Sequence, residues 1–155
     1  MKKISSGKFT CPHLHVYEHE KFVSNGHWLI LKEAAPQKLL RYFEFLKTLP
    51  SFEYKILGDD ALHIATKNRS QLNASYKETI PHSEYEKRVP MASSCWFYPI
   101  AVLENAHEEV YFNAKYIRWL IENYPSCSFF AENEKPAVVY NENGTIGYLM
   151  PMRGK

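Results

Sequence analysis

Long hydrophobic runs, cysteine pairs and catalytic motifs are all missing from this 155-residue chain. No apolar run is longer than Trp28–Leu31, far short of the ~20 residues a membrane helix needs. The start, Met1-Lys2-Lys3-Ile4-Ser5-Ser6, lacks the apolar stretch of a secretory signal. A cytoplasmic protein with no membrane partner is expected. Cys11, Cys95 and Cys127 are odd in number and far apart, which excludes a CxxC zinc or redox motif and argues against a disulfide framework. There is no GxSxG, no Walker loop, no GxGxxG and no Ser/His/Asp set with triad spacing. His107-Glu108-Glu109 reads as the solvated start of a strand, and Asp59-Asp60 as a hairpin turn. Neither enzymatic activity nor a cofactor is expected.

An excess of charge of one sign is missing too. Lys plus Arg number 19 against 17 for Asp plus Glu. A net charge of +2 neither demands nor forbids a nucleic-acid partner, so only the placement of charge decides.

What the chain does have is apolar and aromatic content, 45% and 15%. That suffices for one packed core at this length and excludes disorder. Two amphipathic helices are legible. Pro36–Leu49 opens on proline, stops before Pro50, and aligns Leu39, Leu40, Phe43 and Leu46 at ~100° per residue. Asn113–Tyr124 has Asn113 as N-cap and Pro125 beyond its end, with Ile117, Leu120, Ile121 and Tyr124 as its stripe. Phe45 and Trp119 fall outside the two stripes and are expected to project outward.

Strands are expected before and after each helix, where β-branched and aromatic residues lie between turn signals. Around the first helix these are His27–Leu31, Phe52–Leu57, Ala61–Thr66 and Gln71–Lys77. Around the second they are Glu109–Phe112, Cys127–Ala131, Pro136–Tyr140 and Thr145–Met150. The order strand, helix, strand, strand, strand therefore occurs twice. The expected class is α+β, with both helices side by side on a sheet built from two half-units, about 24–79 and 107–153. Residues 80–106, with Pro81, Pro90 and Pro99, are expected to link them, and residues 1–23 to add an N-terminal hairpin.

Two constellations stand out. On a strand, Cys11, His13 and His15 share a face and could act as zinc ligands, though the spacing matches no common finger; the plainer reading is an exposed hairpin face without metal. Lys38 and Arg41 on the first helix repeat the i, i+3 spacing of Lys115 and Arg118 on the second, away from the apolar stripes. Such pairs suit sequence-independent phosphate contacts or an ordinary solvated helix surface.

Three segments carry a family resemblance. Val110-Tyr111-Phe112-Asn113-Ala114-Lys115-Tyr116-Ile117, then Lys135-Pro136-Ala137-Val138-Val139, then Tyr148-Leu149-Met150-Pro151-Met152-Arg153 resemble the last half-domain of the bacterial sliding clamp, the beta subunit of the replicative DNA polymerase. Ser24-Asn25-Gly26-His27-Trp28-Leu29 is similar to that family's TDGHRL segment, with Asn25 and Trp28 in place of Asp and Arg. Pro81–Pro90 is similar to FPDYxxVxP with its spacing shifted by one residue. The chain has room for one clamp domain where bacterial clamps have three, so the resemblance is to a single-domain miniature of the kind a phage or mobile element carries.

The resemblance implies a DNA replication processivity factor. Lys38, Arg41, Lys115 and Arg118 would face duplex DNA non-specifically. Gly26, His27, Leu29, Pro90, Met150, Pro151, Met152 and Arg153 would line a cleft for short linear peptides of a DNA polymerase or clamp loader. One-domain subunits would associate head to tail, six closing a ring, with Thr145–Met150 and a strand of the first half-unit as candidate edges. An adaptor that keeps the clamp fold without encircling DNA, and a metal-binding module, are the alternatives.

Overall fold

The computed structural model describes residues 15–50, 52–67, 69–90 and 98–152. In chain order the elements are β1 (His15–His19), β2 (Phe22–Ser24), β3 (Trp28–Leu31), α1 (Gln37–Leu46), β4 (Glu53–Ile56), α2 (Asp60–Thr66), β5 (Asn73–Ile80), α3 (His82–Arg88), β6 (Ile100–Glu104), β7 (Glu109–Asn113), α4 (Ala114–Asn123), β8 (Ser128–Phe130), β9 (Ala137–Asn141) and β10 (Gly144–Leu149). The strands form one sheet in the order β4-β1-β2-β3-β10-β9-β8-β5-β6-β7. Its neighbours are antiparallel except β1 and β4. The class is α+β, as expected.

Strand alternation sends apolar side chains to both faces. Trp28, Ile30, Ala101 and Leu103 join α1 and α4 in one large core. Leu29 and Leu31 face the other way, onto Phe22, Val138, Tyr148 and the Ala61 and Leu62 side chains of α2. Ile100 and Val102 also face that second side and pack against Tyr85 and Val89 at α3. The layers are therefore α1 and α4, then the sheet, then α2 and α3. Glycine is required where β10 crosses β3: a Cβ on Gly147 would lie 2.1 Å from the Leu29 carbonyl oxygen.

Four expectations need correction. Ala61–Thr66 is helical, not a strand: Asp59 and Asp60 stand at a helix start, where negative charge is favourable, instead of forming a hairpin turn. Residues 80–106 are more than a connector, since they hold α3 and the buried strand β6, paired on both sides. Trp119 is only 5% exposed and Ile121 is 39% exposed, the reverse of the expected stripe. The cause is Trp28 of β3, whose ring stacks on Trp119 (6.4 Å between centroids) and meets Phe43 of α1 at 5.8 Å, so α4 buries the side it turns toward α1. Thr145–Met150 is no edge, because β10 lies between β3 and β9.

The sheet's ends are β4 and β7. After β10 the chain crosses from the start of β3 to β7. Met150 donates its N–H to the His27 carbonyl (2.8 Å), and Met152 donates to that of Tyr111 (2.7 Å). The sheet is therefore curled enough for a three-residue tail to span from its fourth strand to its last.

Candidate functional site: a cleft at the tail and a basic helix pair

The segment Ser24–Trp28 is knitted by its own side chains. Ser24 Oγ donates to the Trp28 carbonyl (2.6 Å) and accepts from the Gly26 N–H (3.1 Å). Asn25 Oδ1 accepts from the N–H groups of His27 (2.9 Å) and Trp28 (3.0 Å). Asn25 fills the role its family counterpart Asp could fill, since only the carboxamide or carboxylate oxygen is used. Gly26 sits at φ +89°, a conformation that L side chains adopt only with strain.

This turn and the start of the tail enclose a shallow apolar cleft. Gly26, His27, Leu29 and Met150 line it, together with Ser24, Trp28, Pro136, Tyr148 and Leu149, around a volume of about 140 Å³. Met150 is 49% exposed at its rim. Pockets for whole small molecules run to roughly 300–1,000 Å³. The cleft has the size of one or two apolar side chains, and a Met rim re-packs readily around them.

Four of the residues expected in the cleft are thus brought together, and the others are placed elsewhere. Met152 packs on the second face against the cluster of Tyr85, Val89, Val102 and Tyr111. Pro90 is exposed just beyond Val89, and Pro151 is half-buried between the two tail hydrogen bonds. Arg153 lies outside the described residues. Pro136 and Tyr148 belong to motif segments without having been assigned to the cleft; the β3–β10 and β9–β10 registers put them there.

The four candidate DNA contacts sit on α1 and α4, which share a face of the sheet. Lys38, Arg41 and Arg118 are exposed; Lys115 is half-buried, its Nζ 4.0 Å above the centre of the Tyr98 ring. Among the described residues none of the four pairs with a carboxylate, whereas Lys32, Lys47, Lys77, Arg88 and Lys135 all do. Phe45 is exposed on the same helix as Lys38 and Arg41.

The metal reading rests on Cys11 and His13, which lie outside the described residues, and on His15, whose Nδ1 is 2.8 Å from Glu53. Among the described residues no three ligand-type side chains converge. Glu108, considered above as an acid–base group, accepts from the N–H and Nδ2 of Asn133 at 2.8 and 3.0 Å. No helix is long and apolar enough to cross a membrane.

No family model matches the chain, and no curated protein or solved structure matches it either.

Proposed function

We propose that this protein is a non-catalytic, clamp-like binding protein that captures short apolar peptide segments of DNA polymerases or their loading factors. The observation that carries the reading is the cleft. Two segments 120 positions apart, at Gly26–Leu29 and Leu149–Met150, meet there through β3–β10 pairing. The sliding-clamp resemblance requires those two segments to meet. The cleft's size and apolar lining suit a Leu or Phe anchor, and the sequence-distant Pro136 closes one side.

A second, compatible activity is non-specific contact with duplex DNA through Lys38, Arg41, Lys115 and Arg118. It is favoured by the absence of carboxylate partners for these cations among the described residues. Such contacts need no sequence readout and weaken steeply with salt.

The deciding experiment is a fluorescence titration of a labelled pentapeptide of the Gln-Leu-x-Leu-Phe type. The parent should bind in the micromolar range, and Met150→Ala should weaken binding about tenfold, the loss of one buried apolar contact. Because Met150 is half-exposed, the variant keeps its fold. Absence of binding by the parent would remove the peptide reading, leaving the helix face to be tested by salt-dependent binding to DNA.

A further inference from the structure

The two ends of the sheet are treated differently. At β7 the tail reaches the backbone, with Met152 donating to Tyr111. At β4 no strand lies outside the edge among the described residues, and Glu53, Tyr54, Lys55 and Ile56 are all exposed, Ile56 at 74%. An open edge with an exposed isoleucine is a template for another strand. We propose that β4 joins β4 of a second copy of this chain in an antiparallel, two-fold-symmetric dimer.

The hydrogen-bonding pattern limits how this pairing can form. Leu57 donates its N–H to Glu18 of β1 at 2.8 Å. Backbone groups of alternate residues point to opposite edges of a strand, so Glu53 and Lys55 also face β1, whereas Tyr54 and Ile56 offer their N–H and C=O groups outward. A symmetric antiparallel ladder must then centre on Tyr54, Lys55 or Ile56.

Charge selects among the three. Centring on Lys55 sets it directly against Lys55 of the second copy, which is destabilising. Centring on Ile56 leaves Glu53 and Lys55 without each other and shortens the ladder. Centring on Tyr54 gives two backbone bonds between the tyrosines and sets Glu53 against Lys55 of the second copy, twice. The edge is also pre-ordered for this. The Tyr54 hydroxyl donates to Glu18 (2.6 Å), and Lys47 lies 4.8 Å above its ring. An isologous contact of this kind closes at two subunits, unlike the head-to-tail contact a ring needs.

The test is a charge swap read by sedimentation equilibrium. The 18.2 kDa parent should approach twice that mass at about 100 µM, as a weak, small interface allows. Glu53→Lys and Lys55→Glu each place like charges opposite and should raise the dissociation constant at least tenfold. Combining them restores the pairing and should return it to within about threefold of the parent. Circular dichroism melts show whether each single variant is folded, and the double variant carries the test if one is not. A parent that stays monomeric, a dimer indifferent to both single substitutions, a double variant without recovery, or a larger closed oligomer would each overturn the proposal.

Discussion

The two strand–helix units of the chain, residues 28–80 and 109–149, share an element order but not an environment. In the second, β8, β9 and β10 form a meander in the middle of the sheet, and Ala137, Val138 and Val139 of β9 are all buried. In the first, β4 runs to the rim beside β1, and α2 replaces the middle strand. The last strand of each unit lies toward the first strand of the other: β10 pairs with β3, and β5 reaches β7 through β6. One element order thus yields a core in one unit and an edge in the other. What separates them is whether both faces of a strand are apolar.

The helices test this contrast most strongly. Trp119 of α4 lies between Trp28 and Tyr124, with centroids at 6.4 and 6.2 Å, whereas Phe45 of α1 is exposed. Trp119→Ala should cost about 4 kcal/mol by urea denaturation, and Phe45→Ala less than about 0.5 kcal/mol. Equal losses would mean that the two helices are packed alike.

The rim of the first unit depends on charge instead. Glu18 is held by Lys47 (2.8 Å), Lys32 (2.9 Å) and the Tyr54 hydroxyl (2.6 Å), tying α1 and β4 to β1. Burial raises its pKa, but the hydrogen bonds and the Lys47 charge outweigh that and bring the carboxyl down to about 2 from 4.5. A depressed carboxylate stabilises the fold above its unfolded pKa, and that stability is lost as pH falls through the folded value. Glu18→Gln should therefore cost about 2 kcal/mol at pH 7, solvent screening holding the loss below the full linkage value. The difference from the parent should shrink between pH 4.5 and 2, as followed by urea midpoints. A pH-independent difference would remove the carboxylate from this role.

Much of this arrangement is written locally in the chain. Pro36, Asn113 and the 3.6-residue spacing mark both long helices, and Val, Tyr and Phe between turns mark the second unit's strands. The misread elements are those where local preference and tertiary setting disagree. Ile64 and Thr66 favour a strand by type, yet Asp59 and Asp60 stand at a helix start. Ile100-Ala101-Val102-Leu103 has no alternation because both its faces are buried, and beyond Pro99 it resembles a connector. The cleft is half legible: motif likeness brings Gly26, His27, Leu29 and Met150 together, but only strand register adds Pro136 and Tyr148. The Glu18 network is not legible at all, since its lysines lie 14 and 29 positions away.

The smallest test concerns how each unit starts its helix. Asn113 at α4 accepts the Lys115 N–H through its side chain at 2.9 Å, while Pro36 at α1 provides no side-chain cap. Proline instead presets the backbone angle for the first turn and has no N–H to satisfy. Removing the cap oxygen from α4 leaves an amide without its partner, for a loss of about 1 kcal/mol. Asn113→Ala should show that loss in the thermal melt, and Asn113→Asp should recover it, because a carboxylate accepts the same N–H and adds a favourable charge at the helix start. If Asn113→Asp is as unstable as Asn113→Ala, the residue acts through its place in β7 opposite Ile100 and not as a cap.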